Sequence, residues 1–272
     1  MNRPTRFTSR FTSLTLAALL PLMAHAHKAW LLPSATVSTV DQWITVDAAV
    51  SNDLFYFNHV PLRIEGLQIT APNGTTVKPE NLATGKYRTT FDLHLEQNGT
   101  YRLANVNNGI FASYDDNGTT KRWRGPADKF ATEVPANAKN LQVSQSAGRV
   151  ETFVTAGKPT TAALKPTNVG LELVPVTHPN DLYAGEAAKF GLLLDGKPAA
   201  NLDVTIIAGG TRYRDHQEEI KATTDAAGQF SVTWPQPGVY WMETGLQDAN
   251  TSIKQAKQRR ISYVATFEVL PQ

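Results

Sequence analysis

In the stretch Ile261-Ser262-Tyr263-Val264-Ala265-Thr266-Phe267-Glu268-Val269, the residues Ile261, Tyr263, Ala265, Phe267 and Val269 alternate with Ser262, Thr266 and Glu268. A period of two sends every second side chain to one face of a β-strand. The same rhythm returns at Ile44, Val46, Ala48 and Val50, at Phe91, Leu93 and Leu95, at Leu202, Val204 and Ile206, and at Phe230, Val232 and Trp234. No stretch of comparable length has helical spacing, so the chain reads as all-β.

Turn signals separate these runs: Asn73-Gly74, Asn98-Gly99, Asn108-Gly109, Asn117-Gly118, Asp195-Gly196 and Gly209-Gly210. Asn-Gly and Asp-Gly tolerate the positive φ of two-residue hairpin loops. Three of the Asn-Gly pairs continue with Thr and match a glycosylation sequon, but the turn reading explains them better in an exported chain of bacterial type. From about Ala156 to Thr167 the chain is rich in Thr, Pro, Lys and Ala without periodicity, which suits a connection between domains. The expected organisation is therefore a signal peptide at 1–26, an N-terminal β-sandwich at 27–167 and a C-terminal immunoglobulin-like or transthyretin-like sandwich at 168–272. Strands of the second domain are expected near Gly170 to Pro175, Ala187 to Leu194, Leu202 to Ala208, Ile220 to Thr224, Gln229 to Trp234, Val239 to Leu246 and Ile261 to Leu270. Between Arg122 and Ala138 the pattern is weak, with one short helix over Asp128 to Val134.

The signal reading rests on Arg3, Arg6 and Arg10 without an acid, an apolar run from Leu14 to Met23, and Ala24-His25-Ala26 at the cleavage point. That run is too short to span a bilayer, which needs about 20 residues. A periplasmic protein without a transmembrane segment after processing is expected. The chain has no cysteine, so disulfides, lipid attachment through a thiol, thiolate metal sites and thiol nucleophiles are excluded. About 245 mature residues are enough to bury two cores without such staples. Lys plus Arg number 26 and Asp plus Glu 24, and losing the three signal arginines leaves the mature chain near neutral. Nucleic acid is therefore not an expected partner, and Lys121-Arg122-Trp123-Arg124 reads as a solvated turn.

The second half carries Gly170-Leu171-Glu172-Leu173-Val174-Pro175, Leu182-Tyr183-Ala184-Gly185-Glu186, Leu194-Asp195-Gly196-Lys197-Pro198, Thr224-Asp225-Ala226-Ala227-Gly228-Gln229-Phe230 and Pro237-Gly238-Val239-Tyr240-Trp241. Together with Ala26-His27-Lys28-Ala29-Trp30-Leu31-Leu32-Pro33, the chain resembles a bacterial periplasmic family of unknown function described as a nickel or cobalt uptake component. The resemblance spans nearly the whole mature chain. It implies a periplasmic partner of metal or siderophore uptake, such as an outer-membrane receptor or an inner-membrane metal transporter would use, with a C-terminal carboxypeptidase-regulatory-like sandwich. The motifs argue fold, and fold alone does not fix function.

Cleavage after Ala26 exposes His27, whose α-amine and imidazole can chelate one ion. The amine, with an ordinary pKa near about 8, gives up its proton readily to a metal. Amine and imidazole nitrogens suit copper, nickel and cobalt. Cleavage after Ala24 would instead leave His25-Ala26-His27, which can also bind copper or nickel, although Leu22 is a poor residue for that cut. His27 could equally be the plain start of a strand.

His59, ending the run Leu54-Phe55-Tyr56-Phe57-Asn58, is the first choice of partner, against a histidine satisfied by the backbone beside Pro61. His178 is the second, near the junction of the domains, against a plain turn residue. His94 falls out of phase with its apolar neighbours and reads as surface decoration, and His216 as a solvated hairpin tip. Asp53 and Asp115-Asp116 are the carboxylates that could add to a site, the latter reading first as a turn without calcium-loop spacing. Among the tryptophans, Trp234 and Trp241 are expected to be buried and Trp123 alone is expected to be exposed.

No nucleophile elbow, phosphate-cradling loop or dinucleotide fingerprint occurs, so a non-enzymatic role is expected. A copper-dependent oxygenase also begins with an N-terminal histidine on a β-sandwich, and that chemistry stays open. The leading expectation is a periplasmic metal-binding accessory protein for nickel, cobalt or copper, with His27, His59 and His178 as metal ligands. The other is a cell-envelope interaction module that binds a receptor or polysaccharide and no metal.

Overall fold

The computed structural model describes residues 27–272. The expected signal segment and its cleavage site lie outside the described residues.

Alternation governs the first strands. β1 (Lys28–Pro33), β2 (Val37–Ser38), β3 (Gln42–Ser51), β4 (Val60–Pro61), β5 (Leu67–Thr70), β6 (Thr76–Val77), β7 (Glu80–Thr84) and β8 (Thr89–Leu95) follow one another. In β8, Phe91, Leu93 and Leu95 are buried while Asp92 and His94 lie half-buried on the other face. A five-stranded sheet forms in the order β1-β3-β8-β7, with β4 also paired to β3.

β9 (Gly99–Asp116) and β10 (Thr119–Gly125) form a hairpin closed at Asn117-Gly118, where φ is 50° and 78°. Positive φ at both loop residues matches the right-handed twist of the flanking strands. The helix α1 (Ala127–Glu133) follows Pro126 and buries Phe130. β11 (Lys139–Ala156) then pairs antiparallel with β9 from Lys139 opposite Asp115 to Ala156 opposite Gly99.

This long pairing overturns two expectations. Asn108-Gly109 is not a turn but mid-strand, opposite Ala147 and Ser146, because the continuous ladder outweighs a local turn preference. Lys121 to Arg124 is likewise strand, since the turn falls three residues earlier and β10 returns along β9.

A 3-10 turn at Ala162–Leu164 lies within the connecting segment, and another follows at Thr211–Tyr213. β12 (Leu171–Pro175), β13 (Ala187–Leu194), β14 (Lys197–Pro198), β15 (Asp203–Ala208), β16 (Ile220–Thr223), β17 (Gln229–Thr233), β18 (Gly238–Asp248) and β19 (Arg259–Val269) complete the chain. Apart from the two-residue β14, these are the seven strands read from the sequence, each within two residues at either end.

One ten-stranded sheet runs β16-β15-β18-β19-β11-β9-β5-β6, with β2 and β10 attached, and joins both halves through the parallel pair β11 and β19. Its two faces bury different cores. Tyr101, Leu103 and Val154 face the five-stranded sheet, meeting Leu31, Val46 and Phe91. Phe153, Tyr263, Ala265 and Phe267 face the four-stranded sheet of β12, β13, β14 and β17, meeting Leu173, Phe190 and Val232. Because Val150 stands opposite Val264, and Glu151 opposite Ala265, the alternation of the two halves is held in phase. A third cluster, Trp30, Ala49, Leu54, Ile207, Trp241 and Val264, packs the outer face of β1 and β3 against β15, β18 and β19.

Charge is buried at the same junction. Tyr263 donates to Glu151 at 2.5 Å, Arg149 stands 3.2 Å from Glu172, and Glu172 accepts the backbone N–H of Thr167 and Asn168. Burial pushes the Glu151 carboxyl up, against the opposing pull of Arg149 and Arg102. A second cluster ties β19 to its neighbours. Arg259, itself buried, bonds Asp195 at 2.7 Å and Asp248 at 2.6 Å.

Hydrogen bonds from Arg259 hold both the Asp195 and Asp248 carboxyls below the ordinary aspartate value. For a depressed carboxylate pKa, the stabilisation is full above the unfolded value of about 4 and disappears as pH falls through the folded values. Arg259→Met is expected to cost about 2 kcal/mol at neutral pH. In urea unfolding, the gap from the parent protein should narrow as pH is lowered below about 4.

Candidate functional site

His27 immediately precedes β1, and because Lys28 stands opposite Ser51, extending the register places His27 beside Asn52. His59 immediately precedes β4, whose Val60 stands opposite Val50, so it falls beside Ser51. Both histidines therefore reach the same end of β3. Their rings stack with centroids 3.8 Å apart and planes 6° from parallel. His27 is exposed and His59 half-buried.

The loop carrying His59 is tied at both ends. Asn58 accepts the backbone N–H of Asn52 at 2.9 Å and donates to Asp53 at 2.8 Å. Ser51 accepts from the buried Trp30 indole at 2.9 Å and donates to the Asp53 carbonyl at 2.7 Å. Phe55 has φ 62°, a left-handed conformation that costs an aromatic residue about 1–3 kcal/mol and persists only where its surroundings impose it. Here they do. The Phe55 and Phe57 rings lie 5.5 and 5.4 Å from Trp30, Arg88 lies over Phe57, and Phe55 rests on Gly209, where a Cβ would come within 3.2 Å of it. The Gly209-Gly210 turn thus leaves room for the aromatic loop.

The second half of the chain also anchors the strand that begins beside the other histidine. Trp241 of β18 donates its indole N–H to the Ala29 carbonyl at 2.9 Å, and Lys28 lies over the Trp241 ring. Near it, Glu243 is pushed above the ordinary glutamate value by burial, with Lys28 pulling the other way.

His178 does not join the pair. Its Nδ1 accepts the Asn180 N–H at 3.2 Å, and its Nε2 lies 2.9 Å from Thr100 Oγ1 and 3.3 Å from the Thr160 carbonyl. With Nδ1 accepting, Nε2 carries the proton, so neither lone pair is free for a metal. Burial lowers its pKa and favours this neutral form. The residue instead bridges the first half of the chain to the second.

His94 stacks on Trp43 at 4.5 Å and lies 2.9 Å from Asp41, while His216 is exposed. Asp53 braces the His59 loop. Asp115 accepts from Thr120 and Asn140 and Asp116 pairs with Lys121, all beside the closing turn of the β9–β10 hairpin. Among the described residues, no group of three or more His, Cys, Asp or Glu side chains stands close enough to hold one ion.

The tryptophans need one correction. Trp234 and Trp241 are buried as expected, but Trp43 is 52% exposed, whereas Trp123 is half-buried against Phe130 and donates to Glu133. Helix α1, rather than solvent, receives the Trp123 ring.

The fold is an all-β assembly of sandwiched sheets with a histidine pair at one strand end. A family model described as a domain of unknown function, DUF4198, matches residues 24–248, and the chain belongs to that family. No curated protein matches the chain. Similar solved structures include the D0-D1 domain of intimin, at 13% identity over 87% of this chain and 96% of that one, with a TM-score of 0.23. An Escherichia coli alpha-2-macroglobulin activated by trypsin is 11% identical over 91% of this chain and 16% of that one, with a TM-score of 0.25. The Yersinia pseudotuberculosis adhesin InvE is 13% identical over 89% and 60%, with a TM-score of 0.23. These likenesses carry nothing about activity.

Ser51→Ala would leave the fully buried Trp30 indole N–H without an acceptor and free the Asp53 carbonyl. A loss of about 1–3 kcal/mol in urea unfolding is expected. The ring protons of His59 should shift in NMR spectra as its loop loosens, while those of His178 stay in place.

Proposed function

We propose that this chain is a periplasmic accessory protein that binds a copper, nickel or cobalt ion through His27 and His59, for an uptake or homeostasis system. The observation that carries the reading is the contact of two imidazoles 32 positions apart at the end of β3. Removal of residues 1–26 would add the His27 α-amine, giving three nitrogen donors of a kind these ions favour. Without that amine the site has two donors, so processing makes the chelator. The resemblance to a nickel or cobalt uptake family supports the same assignment, with a membrane receptor or transporter as partner. We read the role of the pair as binding rather than catalysis.

The stack itself is not a coordinating arrangement. Imidazole donates to a metal in the plane of its ring, about 2.0 to 2.1 Å from the ion for zinc, whereas stacked rings present their faces to each other. Capture therefore requires the rings to leave the stack. The exposure of His27 allows this, and the bonds at Asn58 and Ser51 keep the His59 backbone in place meanwhile.

Isothermal titration with Cu(II), Ni(II) and Co(II) tests the proposal, using protein that begins at His27, the same protein with one extra N-terminal residue, and His59→Ala. Each change should weaken binding of the preferred ion at least tenfold. Equal affinity in all three would refute the assignment.

A further inference from the structure

The β9–β10 hairpin carries a feature unconnected with the histidines. Alternation in β10 sends Arg122 and Arg124 to one face, where the register sets Arg122 beside Ser113 and Arg124 beside Phe111. β11 continues both rows with Gln142 and Ser144. The opposite face is covered: Ile110, Ala112, Tyr114 and Val143 are buried under Phe130 and Val134. The uncovered face lines a cleft of about 680 Å³, to which Lys257 and Gln258 also contribute.

The charges in this cleft are one-sided. Its lining includes Arg122, Arg124 and Lys257 and no carboxylate. None of the three forms a salt bridge among the described residues. The carboxylates of the same region are engaged elsewhere, Asp116 with Lys121, Asp115 with Thr120 and Asn140, and Glu133 with the Trp123 indole. Arg124 lies over the Phe111 ring, its guanidinium carbon 4.9 Å from the ring centre, a cation–π contact that restrains the side chain. Cations gathered in a cleft without counter-charges repel one another, and a bound anion relieves that repulsion.

We propose that this cleft binds an acidic saccharide chain. Arg122, Arg124 and Lys257 would take its carboxylate or phosphate groups, the guanidinium forks pairing with two oxygens of one such anion. Ser113, Ser144, Gln142 and Gln258 supply both donors and acceptors, the complement that sugar hydroxyls need. A nucleic acid fits less well. The Phe111 face is occupied by Arg124 and not free to stack on a base, and the near-neutral chain offers no extended basic track.

The experiment titrates the full processed protein by calorimetry with a polyuronate oligosaccharide, a phosphorylated oligosaccharide, a neutral glucan of equal length and a single-stranded oligothymidylate of equal charge. Binding of at least one acidic saccharide is expected, weakening with salt and falling at least tenfold in Arg122→Gln/Arg124→Gln, whose exposed side chains leave the core intact. The two acidic arms distinguish carboxylate from phosphate as the group recognised. Ser113→Ala/Gln142→Ala should weaken saccharide binding severalfold without altering its salt dependence. Unchanged binding in the arginine variant, equal binding of the neutral glucan, tighter binding of the oligothymidylate, or no binding of either acidic saccharide would each overturn the proposal. Metal affinity at His27 should be the same in the arginine variant, so the two sites stand or fall separately.

Discussion

Most of this architecture depends on the parallel pairing of β11 with β19. Without it, the strands before Ala156 and those after Leu171 would form separate sheets with exposed edges. With it, a single sheet of ten strands presents one face to each of the smaller sheets. Parallel pairing of segments about a hundred residues apart cannot be set by a hairpin loop. Register has to come from side chains. Val150 beside Val264 and Glu151 beside Ala265 give that register chemical content, since a slip by one residue would turn Glu151 into an apolar layer and Tyr263 away from it. Burying Arg149, Glu151 and Glu172 carries a desolvation cost, and an ionic group that is satisfied in one register alone is suited to specifying it.

The position of the histidine pair follows from the same junction. β1 lies at the edge of the five-stranded sheet, yet its first residues are covered from the other half of the chain by Trp241. His27 is therefore the point at which an anchored strand begins. Across β3, the His59 loop is folded back on the Trp30 indole, so both histidines hang from the cluster of Trp30, Leu54, Ile207, Trp241 and Val264. The strained Phe55 backbone shows that the loop is held by tertiary contacts rather than local preference.

Much of this was legible in the sequence because alternation and turn residues are local properties. Ala187 to Leu194 alternates between paired neighbours and begins and ends where its pattern does. The closeness of His27 and His59 was legible for a different reason: an aromatic run must return to the core, and the residue that ends it emerges at a sheet edge. Asn108-Gly109 misleads because its local signal belongs to a turn while β11 offers a backbone partner to every residue along that part of β9. The role of His178 was hidden because Thr100 and Thr160, the partners of its Nε2, reach it only through tertiary packing. Within Thr119 to Gly125 a signal for the basic face did exist. Arg122 and Arg124 are two apart, and reading them as a turn discarded that spacing.

The stacked histidines and the uncovered face of the hairpin differ in how they would be completed. At the hairpin the side chains already lie on one rigid sheet face in register, so an anion would find its partners arranged and lose little to reorganisation. At the histidines the backbone is fixed, but the rings are turned face to face, and in the proposed metal site a third donor would have to come from cutting the chain. A carrier of the kind proposed would gain from that arrangement. Before removal of the proposed leader, the α-nitrogen of His27 would be an amide and a poor ligand; afterwards it would be an amine, so that chelation would begin where processing occurs.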